Sequence, residues 1–294
     1  MAAWHIGIIG GSGLYEPGAL DEMQEIPVAS AFGEPSAAVT TGRIAGHRFT
    51  FLPRHGAGHT LSPSHVNYRA NIDVLKRCGV TDVLAISAVG SLQENIAPGQ
   101  FAGVAQVIDR TIRHERSFFG DGIVAHVPLG DPVCPRLGKL ASAAFAAAGG
   151  EVHENVTYVA IEGPQFSTRA ESRLYREWGG QVIGMTAMPE ARLAREAELP
   201  YALMTMVTDY DCWREDTADV NVAQILATMR GNAEIARAAL VRLAESLPED
   251  RQASAIDTVL DTAIVTPASH WAAAAAARLD AVAARIIKNR PDQL

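Results

Sequence analysis

Residues 66–91 read VNYRANIDVLKRCGVTDVLAISAVGS. Ala70, Val74, Leu75 and Cys78 recur at helical spacing and Gly79 stops the run, so the first half predicts an amphipathic helix. The second half, Val80 to Ser87, is nearly all apolar from Val83 to Ile86. A strand with one wet face would alternate; an unbroken apolar run predicts a strand covered on both faces, as in a parallel sheet. Helix, glycine and buried strand in succession point to a layered α/β architecture.

The pattern continues on both sides. Upstream, His5 to Ile9 reads as a buried strand ended by Gly10-Gly11-Ser12-Gly13, and Ala37 to Ile44 and His47 to Leu52 flank Ala45-Gly46 as a hairpin. Downstream, strands are expected at Phe101 to Ile108, Val156 to Ile161, Gln181 to Met185 and Tyr201 to Val207. Thr168 and Glu171 have capping-box spacing, which starts a helix running to Trp178, and another helix begins near Pro189. Asp219 to Leu247 reads as one long helix. Beyond Pro248 the chain is Ala-rich, with Trp271 to Ile287 expected as a surface helix. The expected organisation is a single-domain α/β layered sheet with flanking helices over residues 1–248, followed by a helical extension over 249–294.

The 294 residues are 48% hydrophobic and 20% charged, which suits a packed globular chain and not a disordered one. A net charge of −8 argues against a nucleic-acid or anionic-membrane binder, although a local Arg can still hold a small anion. No apolar run approaches the length of a membrane span, and no basic segment precedes Ile6, so neither a membrane anchor nor a signal peptide is expected. Cys78, Cys134 and Cys212 are far apart and form no disulfide framework. A cytoplasmic enzyme is the expectation.

Five segments at strand ends can carry chemistry. Gly10-Gly11-Ser12-Gly13 lets backbone N–H groups converge on an anion, but it lacks the third glycine of a dinucleotide fingerprint and the Lys of a P-loop; a plain tight turn explains it equally well. Pro53-Arg54-His55-Gly56 sets a guanidinium, which can grip a phosphate bidentately, beside a His donor, or else a surface Arg with a capping His. The His55/His59 spacing would suit a metal only on a helix, which Gly56 and Gly58 oppose, so no metal is expected. Ser87-Ala88-Val89-Gly90 offers small groups to a ligand, or only a turn. In Glu162-Gly163-Pro164-Gln165-Phe166-Ser167, Phe166 is either a flat platform or core. Thr186, just before a helix, is either a cap or an anion ligand. The fifth segment is Thr208-Asp209-Tyr210-Asp211-Cys212-Trp213, directly after an apolar strand. Two carboxylates forced together there raise one pKa and leave an acid able to donate at neutral pH, unless they only cap a turn.

Taken in order, these segments, with Val66-Asn67-Tyr68-Arg69-Ala70-Asn71 and Met185-Thr186-Ala187-Met188-Pro189-Glu190, resemble the purine nucleoside phosphorylase superfamily from about Ile6 to Leu247. The nearest branch acts on 5′-methylthioadenosine. The resemblance implies phosphate held by Ser12, Arg54, His55, Ser87, Ala88 and Thr186, and a purine and sugar against Phe166, Met185 and Ala88. It also implies Asp209 and Asp211 at the purine edge, specificity set by Ser167 and Val222, and a 5′ pocket from Val222, Leu226 and a neighbouring chain's His126. A homotrimer or hexamer without an organic cofactor or metal is implied, with nucleoside and inorganic phosphate as its small-molecule partners. Ser12 and Ser87 stand where family members often carry Thr.

Asp209 bears on the base. An amide there would suit a 6-oxopurine, donating to O6, whereas adenine presents N6–H donors and an N7 acceptor that a protonated carboxyl matches. Adenine is therefore the expected base, with Asp209 as general acid at N7. The rivals are a phosphorylase for 6-oxopurine nucleosides or S-methyl-5′-thioinosine, a hydrolase that uses water, and a non-catalytic nucleoside-binding module.

Overall fold

The strand that follows Gly79 is the hub of the sheet. The computed structural model describes residues 3–11, 20–112, 115–120, 122–214 and 222–288. In it, β5 (Asp82–Ser91) pairs in parallel with β1 (His5–Gly10) through Ala85, and with β9 (Tyr201–Asp209) along nearly its whole length. Beyond β1, at Gly90 and Ser91, the short β8 (Val182–Gly184) pairs antiparallel. Flanked in this way, Val83, Leu84, Ala85 and Ile86 are all buried, as their unbroken apolar character requires.

Outward from β1 come β4 (His47–Pro53), parallel, then β3 (Val39–Ile44) and β2 (Asp21–Ile26), each antiparallel to its neighbour. On the other side, β8 pairs with β7 (Val152–Ala160), β7 with β6 (Phe101–Asp109), and β6 with β9, which returns to β5. The layered sheet therefore closes a five-stranded ring, β5-β8-β7-β6-β9, from which β1, β4, β3 and β2 extend as an open wing. Around it pack α1 (Tyr68–Arg77), α2 (Pro135–Ala147), α3 (Arg169–Glu177), α4 (Ala187–Glu196) and α5 (Val222–Ser246). Asn67 caps α1 through Ala70 N–H, and α3 has the full capping box between Thr168 and Glu171.

Two elements are absent from the sequence reading. The strand β2 is exposed along its length and carries no apolar alternation. The contact face of α2 is largely alanine, with Leu137 and Phe145 its large buried side chains, so its periodicity is faint. The tail also departs from expectation. Instead of one surface helix, it forms α6 (Ala273–Arg278) and α7 (Ala284–Lys288) on either side of a turn at 279–283. That bend lets Trp271, Leu279, Val282 and Ile286 all enter the core. Arg285 bridges Glu198 and Asp261, Arg77 pairs with Asp280, and Arg251 joins buried Asp82 to Asp257. Among the described residues no helix is long and apolar enough to cross a membrane.

Candidate active site

A cavity of about 630 Å³ opens where β1, β4, β5 and β9 end. Because β8 runs back along β5, residues 184–186 lie beside Ser87, Ala88 and Val89, and the chain after β7 adds Ile161, Phe166 and Ser167. Met229 and Ala233 of α5 close the remaining side. This is the ligand position expected of an α/β sheet, at the carboxyl ends of its parallel strands.

One end of the cavity is lined by Arg54, His55, Ser87 and Thr186. Arg54 is 1% exposed, and its Nε and Nη2 donate to Glu190 Oε2 and Oε1 at 2.7 and 2.9 Å. Its Nη1 donates to Ile86 O at 3.1 Å and its Nη2 to Ile9 O at 3.3 Å. Burial alone would lower its pKa, but the Glu190 charge more than offsets this and holds the guanidinium firmly protonated. Four of its five N–H groups are therefore occupied by protein acceptors. The fork that could grip phosphate bidentately is occupied by Glu190, which leaves one N–H on Nη1. Beside it, Ser87 Oγ and Thr186 Oγ1 are 2.9 Å apart, and Thr186 N–H donates to Tyr158 Oη at 3.3 Å. His55 Nδ1 lies 2.9 Å from Leu61 O, an acceptor only, so Nδ1 carries the proton and Nε2 keeps its lone pair. Burial, reinforced by the Arg54 charge, holds His55 at about 4, so its ring is neutral near pH 7.

The other end is acidic. Asp209 Oδ1 accepts from Asp211 N–H at 2.8 Å and its Oδ2 from Thr208 Oγ1 at 2.7 Å. Asp211 Oδ2 accepts from Ser172 Oγ of α3 at 2.6 Å. Burial raises the pKa of Asp209 despite these donors, and burial together with the Asp209 charge pushes Asp211 up to about 6. Gly90 makes room for the pair: a Cβ there would lie 2.9 Å from Asp209 Oδ1 and 3.3 Å from Asp211 Cβ. Gly163 does the same for Met185, whose Sδ would lie 2.4 Å from a Cβ at that position.

The family model of the Phosphorylase superfamily matches residues 5–245. The chain belongs to that superfamily. S-methyl-5′-thioadenosine phosphorylases from Cereibacter sphaeroides and Bradyrhizobium diazoefficiens are each 50% identical over 285 residues, covering 96% of this chain and 98% of theirs. Among solved structures, a methylthioadenosine phosphorylase sourced from an Antarctic soil metagenomic library superposes with a TM-score of 0.91 at 43% identity, covering 95% of this chain and 99% of that one. The Schistosoma mansoni methylthioadenosine phosphorylase in complex with adenine gives 0.78 at 36% identity, covering 82% and 91%. Within the superfamily, the chain is a member of the S-methyl-5′-thioadenosine phosphorylase family.

Of the residues that the phosphorylase resemblance singled out, Arg54, His55, Ser87, Ala88, Phe166, Ser167, Met185, Thr186, Asp209 and Asp211 all line the one cavity. His126 does not: it is exposed, and its backbone N–H donates to Ala263 O. Ser12 and the side chains of Val222 and Leu226 lie outside the described residues. The sequence reading missed Glu190, Ser172 and Tyr158, each hydrogen-bonded to a lining residue, and Tyr201, which donates to Glu190. Glu190 had a signal, as an acidic residue in the first turn of a helix that follows a site motif. The others are isolated polar residues in apolar or amphipathic runs, which carry none.

Proposed function

We propose that this chain catalyses the phosphorolysis of S-methyl-5′-thioadenosine, forming adenine and 5-methylthioribose 1-phosphate. The observation that carries the reading is one cavity in which Arg54, Ser87 and Thr186 face a pair of carboxyls, Asp209 and Asp211, whose pKa values burial raises. An oxygen of phosphate attacks C1′ as the C1′–N9 bond breaks, and the electron pair leaves with the purine. Asp209 delivers its proton to N7, while the bound phosphate stabilises the cationic sugar. With Arg54 offering one N–H, orientation of the phosphate falls mainly to the hydroxyls of Ser87 and Thr186, to Ser12 and to backbone N–H groups. The neutral His55, whose Nδ1–H is held by Leu61 O, contributes through Nε2 as an acceptor for a P–OH and not as the donor expected of it. Phe166 and Met185 supply apolar surface for the base and sugar, and Ser167 and Asp211 complete the base edge.

The proposal includes a cytoplasmic homotrimer or hexamer, with phosphate as co-substrate and no cofactor or metal. A neighbouring chain's His126 would complete a 5′ pocket with Val222 and Leu226, which accords with His126 being exposed here and away from its own chain's cavity. The decisive experiment incubates purified protein with methylthioadenosine, with and without phosphate. Adenine and 5-methylthioribose 1-phosphate should form only with phosphate. Free 5-methylthioribose in its absence would make the protein a hydrolase, and binding without turnover would make it a nucleoside-binding module. Sedimentation velocity tests the assembly.

A further inference from the structure

We propose that Glu190 is a positioning residue for the anion end of the cavity, setting how Arg54 meets phosphate; this rests on the phosphorolysis reading. Glu190 is 1% exposed and sits in the first turn of α4, away from any solvent that could neutralise it. A buried carboxylate is tolerated only where it is paired and its lone pairs are filled. Its partners are Nε–H and Nη2–H of Arg54 and the hydroxyl of Tyr201, at 2.7, 2.9 and 2.9 Å. These contacts act on the guanidinium in two ways. They fix its plane, so that Nη1 hangs from Ile86 O with its second N–H free for a ligand at the Ser87 end of the cavity. They also cancel its charge, so that phosphate is recognised by directed hydrogen bonds and not by net charge.

The plane matters because Arg54 has only that one N–H to give. A rotation that moved it would also break the bonds to Ile9 O and Ile86 O. Glutamine has the shape of glutamate but presents one acceptor and one NH₂, so it cannot accept both Arg54 N–H groups. One of them must then face a donor, and the guanidinium must turn. The charge effect acts oppositely: an uncompensated Arg54 would attract phosphate more strongly. The proposal is that orientation outweighs charge.

The experiment compares wild type with Glu190→Gln and Tyr201→Phe, measuring the KM for phosphate and for methylthioadenosine, and titrating inorganic phosphate into each protein by calorimetry. For Glu190→Gln the phosphate KM and Kd should rise at least fivefold while the nucleoside KM stays within twofold. Tyr201→Phe, which removes one of the three donors, should move the phosphate constants the same way by a smaller factor. Unchanged or lower phosphate constants would overturn the proposal, as would an equal rise in both KM values or a fall in kcat alone, which indicate general damage. Should Glu190→Gln not fold, Tyr201→Phe decides on the same criteria. Wild-type protein that binds phosphate but does not turn over refutes the phosphorolysis reading and leaves the calorimetric comparison able to judge Glu190.

Discussion

Asp209 and Asp211 share a corner of the cavity, yet their environments differ. Asp209 accepts from its own strand end, through Thr208 Oγ1 and Asp211 N–H, whereas Asp211 is held across to α3 by Ser172. Asp209→Asn keeps the shape and the hydrogen-bonding capacity but removes the transferable proton. It should slow adenine release by ~10²-fold or more, the range for losing a general acid. Relative activity on methylthioinosine should rise, since O6 then meets an amide donor. The check is kcat/KM for both nucleosides at one phosphate concentration, and an unchanged adenine rate and preference would reduce Asp209 to a loop cap. Asp211 makes a separate prediction about stability. Its pKa is 3.8 unperturbed and about 6 in the folded protein, so between those values the native state holds more protons than the unfolded chain. Stability attributable to Asp211 is therefore complete below about pH 4 and is lost as pH rises through 6, by up to about 3 kcal/mol. Asp211→Asn should remove that decline in urea unfolding between pH 4 and 7. If variant and wild type run parallel, another group titrates there.

At the scale of elements, the site depends on how closely β5, β8 and β9 approach one another. Gly90 pairs with Ile183 of β8 and with Asp209 of β9, and a Cβ on it would crowd Asp209 Oδ1 at 2.9 Å and Ile183 Cγ2 at 3.2 Å. Since the strands on both sides are fixed by their ladders, the carboxylate is the group that must move. Gly90→Ala should lower kcat/KM for the nucleoside at least tenfold, because a displacement near 1 Å costs about two orders of magnitude at a reacting centre. The phosphate Kd should change by less than threefold, as Arg54 and the Ser87–Thr186 pair lie at the other end. Equal losses for both ligands would show a general disturbance of the ring.

Across the whole molecule, the tail braces the body from outside the site. Among the described residues no cavity-lining residue lies beyond Ala233, while the tail buries Trp271, Leu279, Val282 and Ile286 and ties Arg285 to Glu198. Ending the chain after Ser269 should leave kcat within about twofold. Burial of such side chains stabilises by roughly 1.5–3 kcal/mol each. At about 2–4 °C per kcal/mol for a chain of this size, Tm should fall by roughly 10 °C or more. A truncated protein that kept its Tm and assembly but lost turnover would show that the tail closes the site.

Local pattern was enough to establish the alternating elements, the capping box at Thr168 and the position of the site motifs at strand ends. Each of these is written in neighbouring residues: an unbroken apolar run, a Thr three residues before a Glu, glycines after a strand. The ten lining residues were named through the family resemblance, since the local pattern of each segment by itself left a turn, a cap or a core residue equally open. What the sequence could not determine lies between residues far apart in the chain. The ring exists because β9 pairs with both β5 and β6, and no local period encodes that choice of partners. The bend of the tail follows from surfaces it must cover, against the helical preference of its alanines. Arg54 illustrates the difference most sharply. Its place at a strand end was readable, but Glu190, 136 residues away, takes its fork, and only the folded chain brings that carboxylate within 2.7 Å. Directional, short-range bonds across such separations are decided by tertiary packing, because the sequence specifies which groups exist and the fold specifies which of them meet.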